Sequence, residues 1–148
     1  RICAEKSDGS YLPSTGLING YTAPQNVRID SGVAAGSAVS GKYDNMLAKV
    51  IVHAPTREAV IRDLQVKLSE FIISGIHTNI PLLRKLLEDE SFRKVLHYTR
   101  YLQREFVPPQ SDAKTAAAAA AILLYELERQ KTREVLGSLA EFTNSGIK

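Results

Sequence analysis

The sequence predicts an α+β fold in which short strands come first and helices last. Two observations carry that expectation. Up to Val52, β-branched and alternating residues are interrupted at short intervals by Gly, Pro, Asn and Ser, the pattern of a meander of short strands. After Thr56 the apolar residues recur instead at steps of three and four, the spacing of one helix face.

Arg1-Ile2-Cys3-Ala4-Glu5 alternates in polarity and reads as a first strand, and Leu12-Pro13-Ser14-Thr15-Gly16 is turn chemistry. Leu17 to Tyr21 is a second short strand before Pro24. Val27 to Val33 alternates cleanly, with the valines and Ile29 on one face. Met46-Leu47-Ala48-Lys49-Val50-Ile51-Val52 is apolar enough to be a central strand, and Ala54-Pro55 closes it.

Thr56 is a good N-cap, Glu58 in the first turn favours the helix dipole, and Ile61, Leu64, Leu68, Phe71 and Ile72 form one stripe that runs until Gly75. Thr78-Asn79 starts a second helix with Pro81 in its first turn, where a missing N–H costs nothing. Asp89 or Ser91 caps a short helix through Val95, and Tyr98 to Phe106 forms another. Pro108-Pro109 marks a boundary, so residues 1–106 make one domain and residues 107–148 a linker and a long Ala-rich helix, from Ala113 to Leu136, leading toward a following domain.

With 148 residues, 44% hydrophobic and 24% charged, one core is affordable, and collagen-like, disordered and disulfide-framed classes are excluded. A net charge of +3 is spread in alternating signs, unlike the concentrated basic footprint of a nucleic-acid binder. The longest apolar run, Ala116 to Leu124, is too short to cross a bilayer, and no basic segment followed by an apolar stretch opens the chain. The lone Cys3 forms no internal disulfide, so the expected home is the cytoplasm, or the mitochondrial matrix of a eukaryote. A chain that opens at Arg1 inside a strand is expected to be a piece of a longer protein.

Gly36-Ser37-Ala38-Val39-Ser40-Gly41-Lys42 has the spacing of a phosphate-binding loop, yet Tyr43 stands where Ser or Thr must hold magnesium, and a strand pattern follows where a helix is required. His53, His77 and His97 have no neighbours at metal-ligand spacing. A swinging-arm carrier lysine must stand at an exposed hairpin turn, whereas Lys49 falls inside an apolar run. No metal site or catalytic triad is expected within the chain.

Five collinear blocks nevertheless resemble one family. Arg1-Ile2-Cys3-Ala4-Glu5, Tyr11-Leu12-Pro13-Ser14-Thr15-Gly16, Val27-Arg28-Ile29-Asp30-Ser31-Gly32, Tyr43-Asp44-Asn45-Met46-Leu47-Ala48-Lys49 and Gly75-Ile76-His77-Thr78-Asn79 are similar to the C-terminal domain of biotin carboxylase. Biotin carboxylase is the ATP-dependent half of acetyl-CoA, propionyl-CoA, methylcrotonyl-CoA and pyruvate carboxylases. The resemblance covers Arg1 to about Phe106 and implies a short-stranded antiparallel half-barrel packed with helices.

It also implies a ligase that makes carboxyphosphate from ATP and bicarbonate and then carboxylates N1 of biotin, with Mg²⁺ and nucleotide held upstream, so this fragment alone is expected to be inactive. Arg1 matches the family arginine that holds bicarbonate and stabilises the enolate-like oxygen of biotin, a catalytic and biotin-binding role. Arg28, Asp44 and Glu70 match subunit-interface positions, although the loop from Pro24 to Arg28 is shorter here and lacks the usual aromatic. Implied partners are a biotin carboxyl carrier domain, a carboxyltransferase subunit or domain, the upstream ATP-grasp domains and a second copy in a homo-oligomer. The Ala-rich tail points to acyl-CoA carboxylase α-subunits. Two other readings stand beside this one: a non-catalytic assembly module, indifferent to Arg1, and the equivalent domain of another ATP-grasp ligase, which would not depend on biotin.

Overall fold

The computed structural model describes residues 1–109 and Arg129. The chain divides into two compact units, Arg1–Gln110 and Ser111–Lys148. The predicted Ala113–Leu136 helix, apart from a helical Arg129, lies outside the described residues.

Short strands build three small antiparallel sheets. The largest has β6 (Met46–Ile51) at its centre, flanked by β1 (Ile2–Cys3) and β4 (Arg28–Ser31). Ile2 lies opposite Ala48, and Arg28 to Ser31 run antiparallel to Ile51 to Ala48. The other two pairs are β2 (Gly16–Leu17) with β5 (Ala38–Val39), and β3 (Gly20–Thr22) with β7 (Ile72–Ser74). The predicted strand from Leu17 to Tyr21 is thus two strands serving different sheets. Ile18 is fully buried at the junction, and its N–H donates to the Ser37 carbonyl.

Helix α1 (Arg57–Glu70) starts as expected: Thr56 Oγ1 accepts from the Ala59 N–H at 3.2 Å, offsetting one of the unpaired amides of the first turn. It ends earlier than Gly75. Phe71 turns extended, and Ile72–Ser74 leave the helix for the ladder with β3, where β-branched side chains fit the pleat. Ile72 is accordingly exposed rather than part of the buried stripe. Helix α2 (Ile80–Glu88) has Pro81 in its first turn, as predicted.

The principal core joins Ile2, Ala4, Leu47 and Ala48 of the central sheet to Ile61, Leu68 and Phe71 of the first helix and to Ile80 and Leu87 of the second. Leu82, Tyr101 and Phe106 form a smaller cluster.

Helices α3 (Glu90–Arg93) and α4 (Tyr101–Arg104) are shorter than the predicted spans ending at Val95 and Phe106. Asp89 links them: its Oδ1 accepts from the Phe92 N–H and from the Tyr101 hydroxyl, both at 2.8 Å. The Phe92 amide foremost, then the Tyr101 hydroxyl against partial desolvation, holds the carboxyl below its ordinary range. A depressed folded-state value means the stabilisation is complete above the unfolded value and is lost as pH falls through the folded one. Asp89→Ala is therefore expected to cost about 1 kcal/mol at neutral pH. The gap between wild-type and variant melting temperatures should close below about pH 4, the ordinary carboxylate value; a gap that is constant with pH would show that the cap acts by shape alone.

Candidate functional site

Arg1 precedes the first strand. Ile2 is almost fully buried in the core, so the backbone at that point is fixed while the arginine side chain is exposed. Because Ile2 lies opposite Ala48, Arg1 emerges beside the middle of β6, on the edge of the sheet opposite β4. Among the described residues its guanidinium has no ion-pair partner.

Asn79 holds this strand from outside the sheet. Its Oδ1 accepts from the Cys3 N–H at 2.9 Å, its Nδ2 donates to the Arg1 carbonyl at 3.2 Å, and its own N–H donates to the Cys3 carbonyl at 3.0 Å. Further along, Ala4 donates to the Asn45 carbonyl at 2.7 Å, and Asn45 Nδ2 donates to Glu5 Oε2 at 3.2 Å. Strand β1 is thus tied on one side to β6 and on the other to the start of α2. Sequence reasoning placed Thr78-Asn79 at a helix start and in one of the family-like blocks, with no contact to the first strand. Asn79 does occupy the N-cap position, but its side chain makes no capping hydrogen bond and faces β1 instead. The available signal was an Asn before Pro81, which reads locally as a cap.

The other candidate residues do not converge on Arg1. Arg28 is 71% exposed and makes a two-pronged pair with Asp30 on its own strand, both contacts at 3.1 Å. That pairing holds the Asp30 carboxyl below its ordinary range. Asp44 accepts from the Met46 N–H at 2.8 Å and lines a cleft of about 290 Å³ with Pro13, Thr15, Gly41 and Tyr43. Arg28 and Asp44 stand at opposite ends of β6, whose six residues span roughly 20 Å. Glu70 pairs with Lys67 at 3.3 Å at the end of α1.

The Gly36–Lys42 segment is no phosphate cradle. The Gly36 and Ser37 amides, which would have to point at phosphate, donate to the Ile18 and Ala34 carbonyls, and Ala38–Val39 belong to a strand. His97 packs on the Phe92 ring, and among the described residues no group of three His, Cys, Asp or Glu side chains is placed to hold a metal ion. The described residues therefore offer no such donor set for Mg²⁺. Cys3 is half-buried, and burial followed by the Glu5 carboxylate pushes its thiol up, away from nucleophilic character. No helix among the described residues is long and apolar enough to cross a membrane.

Comparison with known proteins covers most of this unit. The model of the biotin carboxylase C-terminal domain matches residues 1–104. The chain is 36% identical over 143 residues to the mitochondrial methylcrotonoyl-CoA carboxylase subunit alpha of Dictyostelium discoideum, covering 90% of this chain and 20% of that protein. It is 46% identical over 107 residues to biotin carboxylase of Haemophilus influenzae, covering 71% and 24%. Among solved structures, the biotin carboxylase domain dimer of Hydrogenobacter thermophilus 2-oxoglutarate carboxylase, in complex with MgADP, ADP and bicarbonate, superposes with a TM-score of 0.67 at 35% identity, over 70% of this chain and 23% of that one. The chain thus spans about a fifth to a quarter of these relatives.

Proposed function

Since the chain belongs to the biotin carboxylase C-terminal domain family, we propose that it completes the biotin and bicarbonate end of an active site whose ATP-grasp part lies elsewhere in the full-length protein. The observation that carries this reading is Arg1: an exposed arginine on a backbone clamped from two sides, next to a buried Ile2. A planar, permanently charged fork binds bicarbonate oxygens and then neutralises negative charge developing on the ureido oxygen of biotin. ATP and Mg²⁺ belong to the upstream domains, because the glycine segment of this chain spends its amides within the fold.

On this reading the three small sheets are the walls of a half-barrel, residues 1–106 form the carboxylase domain, and residues 107–148 lead toward a following domain. The partners are the carrier domain that delivers biotin and a carboxyltransferase subunit or domain. Arg28, Asp44 and Glu70 mark a subunit interface, a role supported by their exposure. The cytoplasm, or the matrix in a eukaryote, is the proposed compartment.

The test is bicarbonate-dependent ADP release with free biotin, measured on the full-length protein and on the 148-residue chain. Stimulation by biotin is expected in the first and no ADP release in the second. A full-length protein indifferent to biotin would overturn the assignment, and turnover by the short chain would relocate the nucleotide site.

A further inference from the structure

We propose that Asn79 is a positioning residue for Arg1, holding the arginine backbone so that its guanidinium meets the substrate in one orientation; this rests on the catalytic reading of Arg1. Asn79 is 6% exposed, and every polar group it has is engaged. Its main-chain carbonyl accepts from the Leu83 N–H and belongs to α2; its N–H, Oδ1 and Nδ2 all go to Arg1 and Cys3. The side chain of an N-cap asparagine ordinarily accepts from the helix's own amides. Here that use is given up, and the carboxamide spans both sides of Ile2, accepting from the residue after it and donating to the residue before it.

This geometry fixes the Arg1 main chain without touching its side chain. β1 has only two residues, too short to define an arginine by sheet pairing alone, and its register with β6 shifts between Ile2 and Cys3. The carboxamide supplies the missing restraint, and it is anchored in turn: Ile80, directly after Asn79, and Leu87 lie in the principal core, and Ser7 Oγ donates to the Thr78 carbonyl at 2.8 Å. A long arginine side chain multiplies any looseness at its root, and misplacement by about 1 Å costs on the order of 10²-fold in rate.

The experiment is a double-mutant cycle in the full-length enzyme, reading biotin-dependent ADP release and the thermal melt for Arg1→Ala, Asn79→Ala and the pair. Arg1→Ala is expected to lose activity on the order of 10²-fold or more. Asn79→Ala should lower kcat roughly 10- to 100-fold with KM for ATP unchanged. In the Arg1→Ala background the second substitution should then cost nothing further, because the group it positions is gone. Equal losses in both backgrounds, or an unchanged kcat, would overturn the proposal while leaving Arg1 catalytic. Retained activity in Arg1→Ala alone would overturn the catalytic reading and this proposal with it. Asn79→Asp keeps the acceptor for the Cys3 N–H and lacks the donor to the Arg1 carbonyl, so it replaces Asn79→Ala in the same comparison should the latter unfold; full activity in folded Asn79→Asp would also overturn the proposal.

Discussion

Replacing Arg1 with Ala in the full-length protein should, on the role proposed for Arg1, lower biotin-dependent ADP release on the order of 10²- to 10³-fold, the usual consequence of removing a preorganised donor from a developing oxyanion. The melting curve should stay in place, because the side chain is exposed and the strand beneath it is held by Ile2 and by main-chain hydrogen bonds. Arg1→Lys should recover only a small part of the loss: an ammonium restores the charge but cannot present two parallel N–H groups to bicarbonate. A variant of Arg1 with unimpaired turnover would mean that this domain contributes structure, as an assembly module would, and that the chemistry lies elsewhere.

The family was legible in the sequence because its likeness sits in local blocks such as Arg1-Ile2-Cys3-Ala4-Glu5, and resemblance acts on such blocks. So was the capped start of the first helix, because Thr56 and Glu58 act on amides within one turn. What was not legible is non-local. Leu17 to Tyr21 reads as one strand until Gly16–Leu17 are claimed by Ala38–Val39 and Gly20–Thr22 by Ile72–Ser74. The same competition shortened the first helix: nothing in Phe71-Ile72-Ile73 says that a ladder partner 50 residues upstream, Gly20 to Thr22, will outbid the helical ladder. Asn79 is the sharpest case. Locally it is a cap, and only the folded chain brings it against residues 76 and 78 positions away. Arg28 and Asp30, two residues apart on one strand, share a face, and their pairing follows from period-two alternation alone.

Gly75→Ala is expected to be the most damaging small substitution in the described residues. Gly75 has φ 101°, in the region that L side chains rarely adopt, and a Cβ there would stand 2.1 Å from the Leu17 carbonyl oxygen and 2.9 Å from the Asn19 nitrogen. Neither neighbour is the movable end of a side chain. The Asn19 N–H donates to the Ser74 carbonyl at 2.9 Å, next to the β3–β7 ladder, so relieving the overlap means parting the two backbones that the ladder joins. The unfavourable φ costs about 1–2 kcal/mol, and overpacking against fixed atoms adds about 1–3 kcal/mol. Their sum, about 4 kcal/mol, takes a large share of the total for a domain of this size. The melting temperature of the 148-residue chain should fall by roughly 15 °C or more. Because Gly75 lies four residues before Asn79, a partly folded variant should also lose the clasp on β1, and with it protection of the Cys3 amide from hydrogen exchange. A melt within a few degrees of wild type would show that the Leu17–Asn19 segment can move aside, and that the ladder between β3 and β7 contributes little to holding this end of the domain.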